Sequence, residues 1–242
     1  MVYLAGMPGN RVYAAAPAIS AKNIMIGQGG TAVLKVNNAN GSVKWSAGKK
    51  SVVAVSQSGR VKAKKKGTAV ITAETGGKKL KCNVTVSDGK QKALVVYFSQ
   101  TGTTRAAAKK VQKAAGADMI RLTTQKAYIE NYDELIDIAE KELEENARPD
   151  ISTVVRNMAQ YEIVYIGYPI WWGAEPMAVR TFLEQHKMSG KTVVPFCTSG
   201  GSGISGSMDG IRQYAKGAAV KQGRDLTDAG QKAVTEWIRS IR

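Results

Sequence analysis

Between residues 17 and 89 the chain runs in short β-branched segments in which apolar and polar positions alternate: 31–36, 42–45, 52–55, 60–63, 69–73 and 81–86. Gly27-Gln28-Gly29-Gly30, Asn40-Gly41, Ser58-Gly59, Lys66-Gly67 and Gly76-Gly77 punctuate them. Alternation with turn residues at this spacing predicts a small antiparallel β-sandwich, with Trp45 as core anchor and Lys62 and Lys64 facing water. After residue 90 the pattern changes. The continuous apolar run 93–98 predicts a strand buried on both faces. Further strands are predicted at 118–122, 162–167, 191–196 and, briefly, 218–220. Helical periodicity falls between them, at about 104–115 and 131–146. Another helix opens at Glu175-Pro176 with Val179, Phe182 and Leu183 inward. In the last, Thr227 is the predicted cap and Leu226, Ala233, Val234, Trp237, Ile238 and Ile241 recur at helical spacing. Such alternation means a parallel sheet covered by helices on both sides.

Composition sharpens this division. The chain has 242 residues and a formal charge of +16. Residues 1–90 hold 15 Lys and Arg against 2 acidic residues, a net +13, whereas residues 91–242 carry only +3. Two units with different roles are expected: 17–89 and 90–242, joined by the polar stretch Ser87-Asp88-Gly89-Lys90-Gln91, with 1–16 as a leader. Residues 12–16 (Val-Tyr-Ala-Ala-Ala) end in the small residues that precede a signal-peptidase cut, although Gly6, Pro8, Gly9 and Arg11 interrupt the apolar segment before them. With 43% hydrophobic residues the chain is no disordered polycation. No apolar stretch reaches the roughly 18 residues of a membrane-spanning helix. Cys82 and Cys197 make neither a disulfide framework nor a zinc site, and a single histidine, His186, at a predicted helix end, removes most histidine-based chemistry. The basic run from Lys62 to Lys66 reads as a solvated face or a grip on an anionic cell-envelope polymer. Specific nucleic-acid recognition is not expected, since any polycation binds nucleic acid by releasing counterions.

The unusual residues of the second unit lie at the carboxyl ends of its strands, where open α/β sheets bind ligands. After the first strand come Ser99, Gln100, Thr101, Gly102, Thr103 and Thr104. Hydroxyls, backbone amides and a helix N-terminus converge there on a site for a phosphate, and no Gly-Lys-Ser/Thr follows. After the third come Pro169, Ile170, Trp171, Trp172 and Gly173. Two adjacent tryptophans suit one core ring and one lying against a planar ligand. After the fourth come Thr198, Ser199, Gly200, Gly201, Ser202 and Gly203, where glycines admit close backbone approach. Gly201-Ser202-Gly203-Ile204-Ser205-Gly206 fits a dinucleotide fingerprint with Asp225 about 20 residues on. Only some 40 residues remain, too few for a second dinucleotide-binding half. In the long connection at 123–161, the helix carries Asp133, Glu134, Asp137, Glu140, Glu142, Glu144 and Glu145 on a solvated face, while Tyr128, Tyr132 and Arg148 are candidates for a lid.

Two resemblances follow. Lys44-Trp45-Ser46, Ser51 to Val55, Ser58-Gly59-Arg60-Val61 and Lys66-Gly67-Thr68-Ala69-Val70-Ile71-Thr72-Ala73 resemble the bacterial Ig-like domain, group 2, over nearly all of 20–86. That implies a spacer or adhesive module and a secreted or envelope-associated protein; if 1–16 is no signal remnant, the protein is cytoplasmic. The three loops together resemble the flavodoxin family over about 92–241. This implies a five-stranded doubly wound sheet of order 2-1-3-4-5 and FMN as cofactor. The phosphate would sit on residues 99–104 and the ring between 169–173 and 198–203. The resemblance implies a redox protein, either an electron carrier or an FMN-dependent reductase using NAD(P)H, a quinone or a protein partner. The alternative is a surface adhesion protein whose flavodoxin-like unit has lost its flavin.

Overall fold

A computed structural model describes residues 15–241. The cleavage-site reading therefore falls largely outside the described residues. The amino-terminal unit contains β1 (Ala18–Ile19), β2 (Asn23–Gly27), β3 (Thr31–Val33), β4 (Val36–Asn37), β5 (Lys44–Ala47), β6 (Val53–Val55), β7 (Arg60–Ala63), β8 (Gly67–Thr75) and β9 (Lys78–Ser87). One sheet holds β2, β9, β8 and β5 in that order; another holds β3, β7 and β6. Their facing residues, among them Ile24, Ile71, Val84, Val53 and Val61, make one core, with Trp45 buried in it. A Cβ on Gly59, at φ 74°, would run into Leu34 O and the Trp45 ring, so glycine is required at that turn.

The expectation of a purely antiparallel sandwich needs correction. Strand β2 was not legible as alternation, and it pairs parallel with β9. All of Asn23 to Ile26 is buried. Ile24 and Ile26 fill the amino-terminal core, while Met25 points the other way into the core of the second unit. A strand covered on both faces loses its period of two.

The second unit runs β10 (Ala93–Tyr97), α1 (Thr103–Ala115), β11 (Asp118–Arg121), α2 (Tyr132–Glu144), β12 (Thr153–Val155), β13 (Ile163–Pro169), α3 (Met177–Gln185), β14 (Thr192–Thr198), α4 (Met208–Tyr214), β15 (Ala219–Val220), β16 (Arg224–Asp225) and α5 (Gln231–Ser240). The main sheet is parallel with order β11-β10-β13-β14-β15, which is the predicted 2-1-3-4-5. Its edge comes in two pieces, β15 and β16, both paired with β14. Val95, Tyr165, Val194 and Phe196 meet α1 and α5 on one face. Leu94, Val164 and Ile166 meet Val179 and Phe182 of α3 and Ile211 of α4 on the other. Helix α2 has Asn131 as its cap, the side chain accepting from Glu134 N. Thr227 does not cap the last helix: α5 starts after Gly230, and Thr227 is drawn back to Asp225.

Strand β12 leaves this sheet altogether. It lies in the long connection and pairs parallel with β2, at the edge of the amino-terminal sheet. Lys22 N and Asn23 N donate to Ser152 O, Arg156 N donates to Met25 O, and Asn23 Nδ2 donates to Thr123 Oγ1. Val155 joins the α/β core while Val154 packs against the sandwich core. The two units are therefore fastened by a shared strand.

Candidate functional site

Strands β10, β13 and β14 end side by side, and the three loops that follow them meet there. In the first loop Ser99 is buried, and its Oγ accepts from Gly102 N (3.1 Å) and Arg105 N (3.3 Å). This hydroxyl shapes the loop. Gly102, at φ 107°, delivers the chain into α1 with open space where a Cβ would stand. The amides of Thr103 and Thr104, at the first turn of α1, have no acceptor among the described residues, as helix N-termini do unless a ligand or water supplies one. The exposed hydroxyls of Thr101 and Thr103 lie 3.3 Å apart. Thr104 is instead buried, and its hydroxyl meets that of Thr198 at 2.8 Å, tying the first loop to the third. Gln100 turns outward and donates to Ile129 O.

In the second loop the adjacent tryptophans separate. Trp171 packs edge-on against Phe98 (5.3 Å) and Tyr128 (5.2 Å). Trp172 is 52% exposed at φ 50°, and its Nε1 donates to Ile136 O of α2. A bulky residue in the left-handed region is strained and persists only where surrounding bonds hold it. Pro169 closes β13, Ile170 N donates to Thr198 O, and Gly173 backs onto Gly206 so closely that a Cβ on Gly206 would overlap its carbonyl.

The third loop hangs from Asp225. Ser199 Oγ donates to Asp225 Oδ2 (2.5 Å) and accepts from Gly201 N and Gly203 N, each at 3.1 Å. Thr227 Oγ1 donates to Asp225 Oδ1 (2.6 Å) and accepts from Ser199 N. Gly200, Gly201 and Gly203 have open space at their Cβ positions, so this stretch can take a flat group against its backbone. Asp225, suspected in the dinucleotide fingerprint, is used up in holding the loop.

Several residues differ from their predicted roles. Tyr128 does reach the site, donating to Glu142 (2.7 Å) beneath Trp171. Arg148 does not: it pairs with Glu184 and stacks over Tyr214. Tyr132 is 71% exposed near Trp172. His186 is half-buried rather than on the surface, stacked on Phe182, and burial holds its pKa below the usual histidine value. Sequence reading missed Arg121, whose guanidinium donates to Ser99 O (2.7 Å). The signal is register: Arg121 lies beside Tyr97, two residues before the loop. It also missed Glu175, wholly buried behind the second loop and paired with Arg180 at 2.7 Å, with Oε2 unpartnered.

The family model for flavodoxin matches residues 92–241. The chain belongs to the flavodoxin family. A candidate flavoprotein from Bacteroides eggerthii DSM 20697 is 37% identical, with a TM-score of 0.59, covering 63% of this chain and 98% of that one. A second, from Bacteroides uniformis ATCC 8492, is 35% identical with a TM-score of 0.58, covering 62% and 98%. A flavoprotein in complex with FMN from Lactobacillus acidophilus NCFM shares the fold at 23% identity and a TM-score of 0.51, covering 56% and 93%. No curated protein matched the chain. The family model covers the α/β unit and leaves the amino-terminal strands outside it.

Proposed function

We propose that this flavodoxin-family protein binds FMN and acts in redox chemistry. The observation that carries the reading is the first turn of α1: two unpartnered amides beside the paired hydroxyls of Thr101 and Thr103 and an open glycine. That donor set fits a phosphate dianion, and charge-assisted hydrogen bonds contribute about 1.5–3 kcal/mol each. The exposed Trp172 ring and the open backbone of Gly200, Gly201 and Gly203 fit a flat heterocycle. Residues 99–104 would hold the phosphate, and 169–173 with 198–203 the ring. FMN would supply one- and two-electron transfer; the protein's residues bind, orient and shield it. Ser99, Thr104, Thr198 and Asp225 do so indirectly, by fixing the loops.

The purified protein is expected to be yellow, or to quench flavin fluorescence when FMN is added. A protein that stays colourless and leaves the fluorescence unchanged would favour the adhesion alternative. Thr103→Asp puts a carboxylate where the phosphate lies and is expected to raise the FMN Kd by at least about a hundredfold; unchanged affinity means that the phosphate loop is misassigned. Turnover with NAD(P)H and a quinone distinguishes a reductase from a carrier reduced only by a protein partner.

The amino-terminal unit supports a reading as an Ig-like module facing anionic cell-envelope polymers, in an exported protein. What supports it is the motif set over 20–86 together with the net +13. Binding to an anionic polysaccharide that vanishes with rising salt, with no preference among nucleic-acid sequences, is the expected outcome.

A further inference from the structure

A cavity of about 450 Å³ opens over the carboxyl ends of β10 and β11, beside Gln100 and Thr101. This lies within the range of small-molecule pockets. Apart from those two rim residues, it shares no lining with the loops assigned to FMN. Its floor is Phe98 and its wall is the segment after β11, with Leu122, Ala127 and Tyr128. Two cations stand in it. Arg121 donates one N–H to Ser99 O, and its Nε and Nη1 donors have no acceptor among the described residues. Lys22 arrives from the amino-terminal unit, its ammonium donating to Thr124 O (3.0 Å) and Gln125 O (2.5 Å), with a third N–H to give. Glu130 is exposed at the mouth.

The lining selects among ligand classes. A neutral apolar molecule would cover the guanidinium without pairing it, and a desolvated unpaired charge is costly. A sugar phosphate would lay hydroxyls against Phe98, Leu122 and Tyr128. An aromatic ring with one carboxylate satisfies both walls, since guanidinium and carboxylate form paired, charge-assisted hydrogen bonds. We propose that this cavity binds a small aromatic carboxylate, with its charge at Arg121 and Lys22 and its ring on Phe98 and Tyr128. Because Lys22 comes from the other unit, the site exists only in the joined molecule. The proposal does not depend on flavin binding. Phe98 and Tyr128 each meet Trp171 edge-on, so indole fluorescence is a direct reporter.

The test is titration of the full chain, with and without saturating FMN, using benzoate, 3-phenylpropionate, phenylalanine and benzyl alcohol, followed by calorimetry and tryptophan fluorescence. The carboxylates are expected to bind at least about tenfold more tightly than benzyl alcohol, equally with and without FMN. Arg121→Gln should weaken them at least about tenfold. Ala127→Phe, which fills the cavity, should abolish their binding and leave the FMN Kd within about twofold. If Arg121→Gln fails to fold, Ala127→Phe decides. Equal binding of benzyl alcohol, indifference to either substitution, or no carboxylate binding would overturn the proposal. So would phenylalanine binding more tightly than 3-phenylpropionate, which would assign Glu130 an ammonium partner. Loss of carboxylate binding on adding FMN would make the cavity part of the flavin site and also overturn it. Carboxylate binding by a protein that ignores FMN would uphold it while sinking the flavin reading.

Discussion

At Asp225 burial pushes the carboxyl pKa up, but hydrogen bonds from Ser199 and Thr227 outweigh it and leave the value below that of an ordinary aspartate. A depressed folded pKa adds stability that is complete above the unfolded value of about 3.9 and is lost as pH falls through the folded one. Thermal unfolding of the protein and of Asp225→Asn should therefore differ at neutral pH and converge in acid. Parallel curves down to pH 2 would assign the effect elsewhere. The Thr104–Thr198 pair offers a second test, because both hydroxyls are buried. Thr104→Val orphans its partner and should cost about 1–3 kcal/mol in urea unfolding, whereas the double change Thr104→Val, Thr198→Val should recover part of that. Both threonines were legible as site residues, but their inward roles were not. Sequence reports that a hydroxyl is present at a strand end; only the folded loop decides whether it faces a ligand or another loop.

Strand β12 alters the meaning of the long connection. Three residues complete the edge of a sheet that belongs to the other unit, and Val154 and Val155 divide between the two cores. Met25 makes the reciprocal crossing. It is fully buried among Val155, Met158 and Tyr161, with its sulfur 3.0 Å from the Tyr161 hydroxyl, which donates to Asp118. Met25→Ala should cost about 2–5 kcal/mol, as large-to-small core changes do. The loss should register in amide exchange of β13 as well as β2; protection lost only in the sandwich would show that the cores are independent. Strands β10, β13 and β14 of the α/β sheet were legible because continuous apolar runs between helical segments admit few other readings, whereas β16, two polar residues long, was not. Strands β2 and β12 were not: one lacks alternation, and the other is too short to carry a period.

Across the molecule, the shared strand makes the amino-terminal unit, through Lys22, part of the wall of the cavity over β10 and β11 rather than a swinging tether. Lys22 and Gln125 bond across the junction, as do Ser87 and Gln160. A fragment spanning residues 92–242 should consequently melt below the full chain and bind a hydrophobic dye, because Val155, Met158 and Tyr161 lose the cover of Met25. Equal melting temperatures would show that the junction adds no stability. The uneven charge, the two kinds of repeating pattern and the three candidate loops at the strand ends were determined by sequence alone, because composition, periodicity and local motifs involve residues near one another in the chain. The parallel docking of residues 23–27 on 153–155, the arrival of Lys22 at Thr124 and Gln125, and the inward turn of Thr104 were decided only in three dimensions. Each depends on segments far apart in the chain, or on which face a neighbour covers, and local pattern carries no record of that.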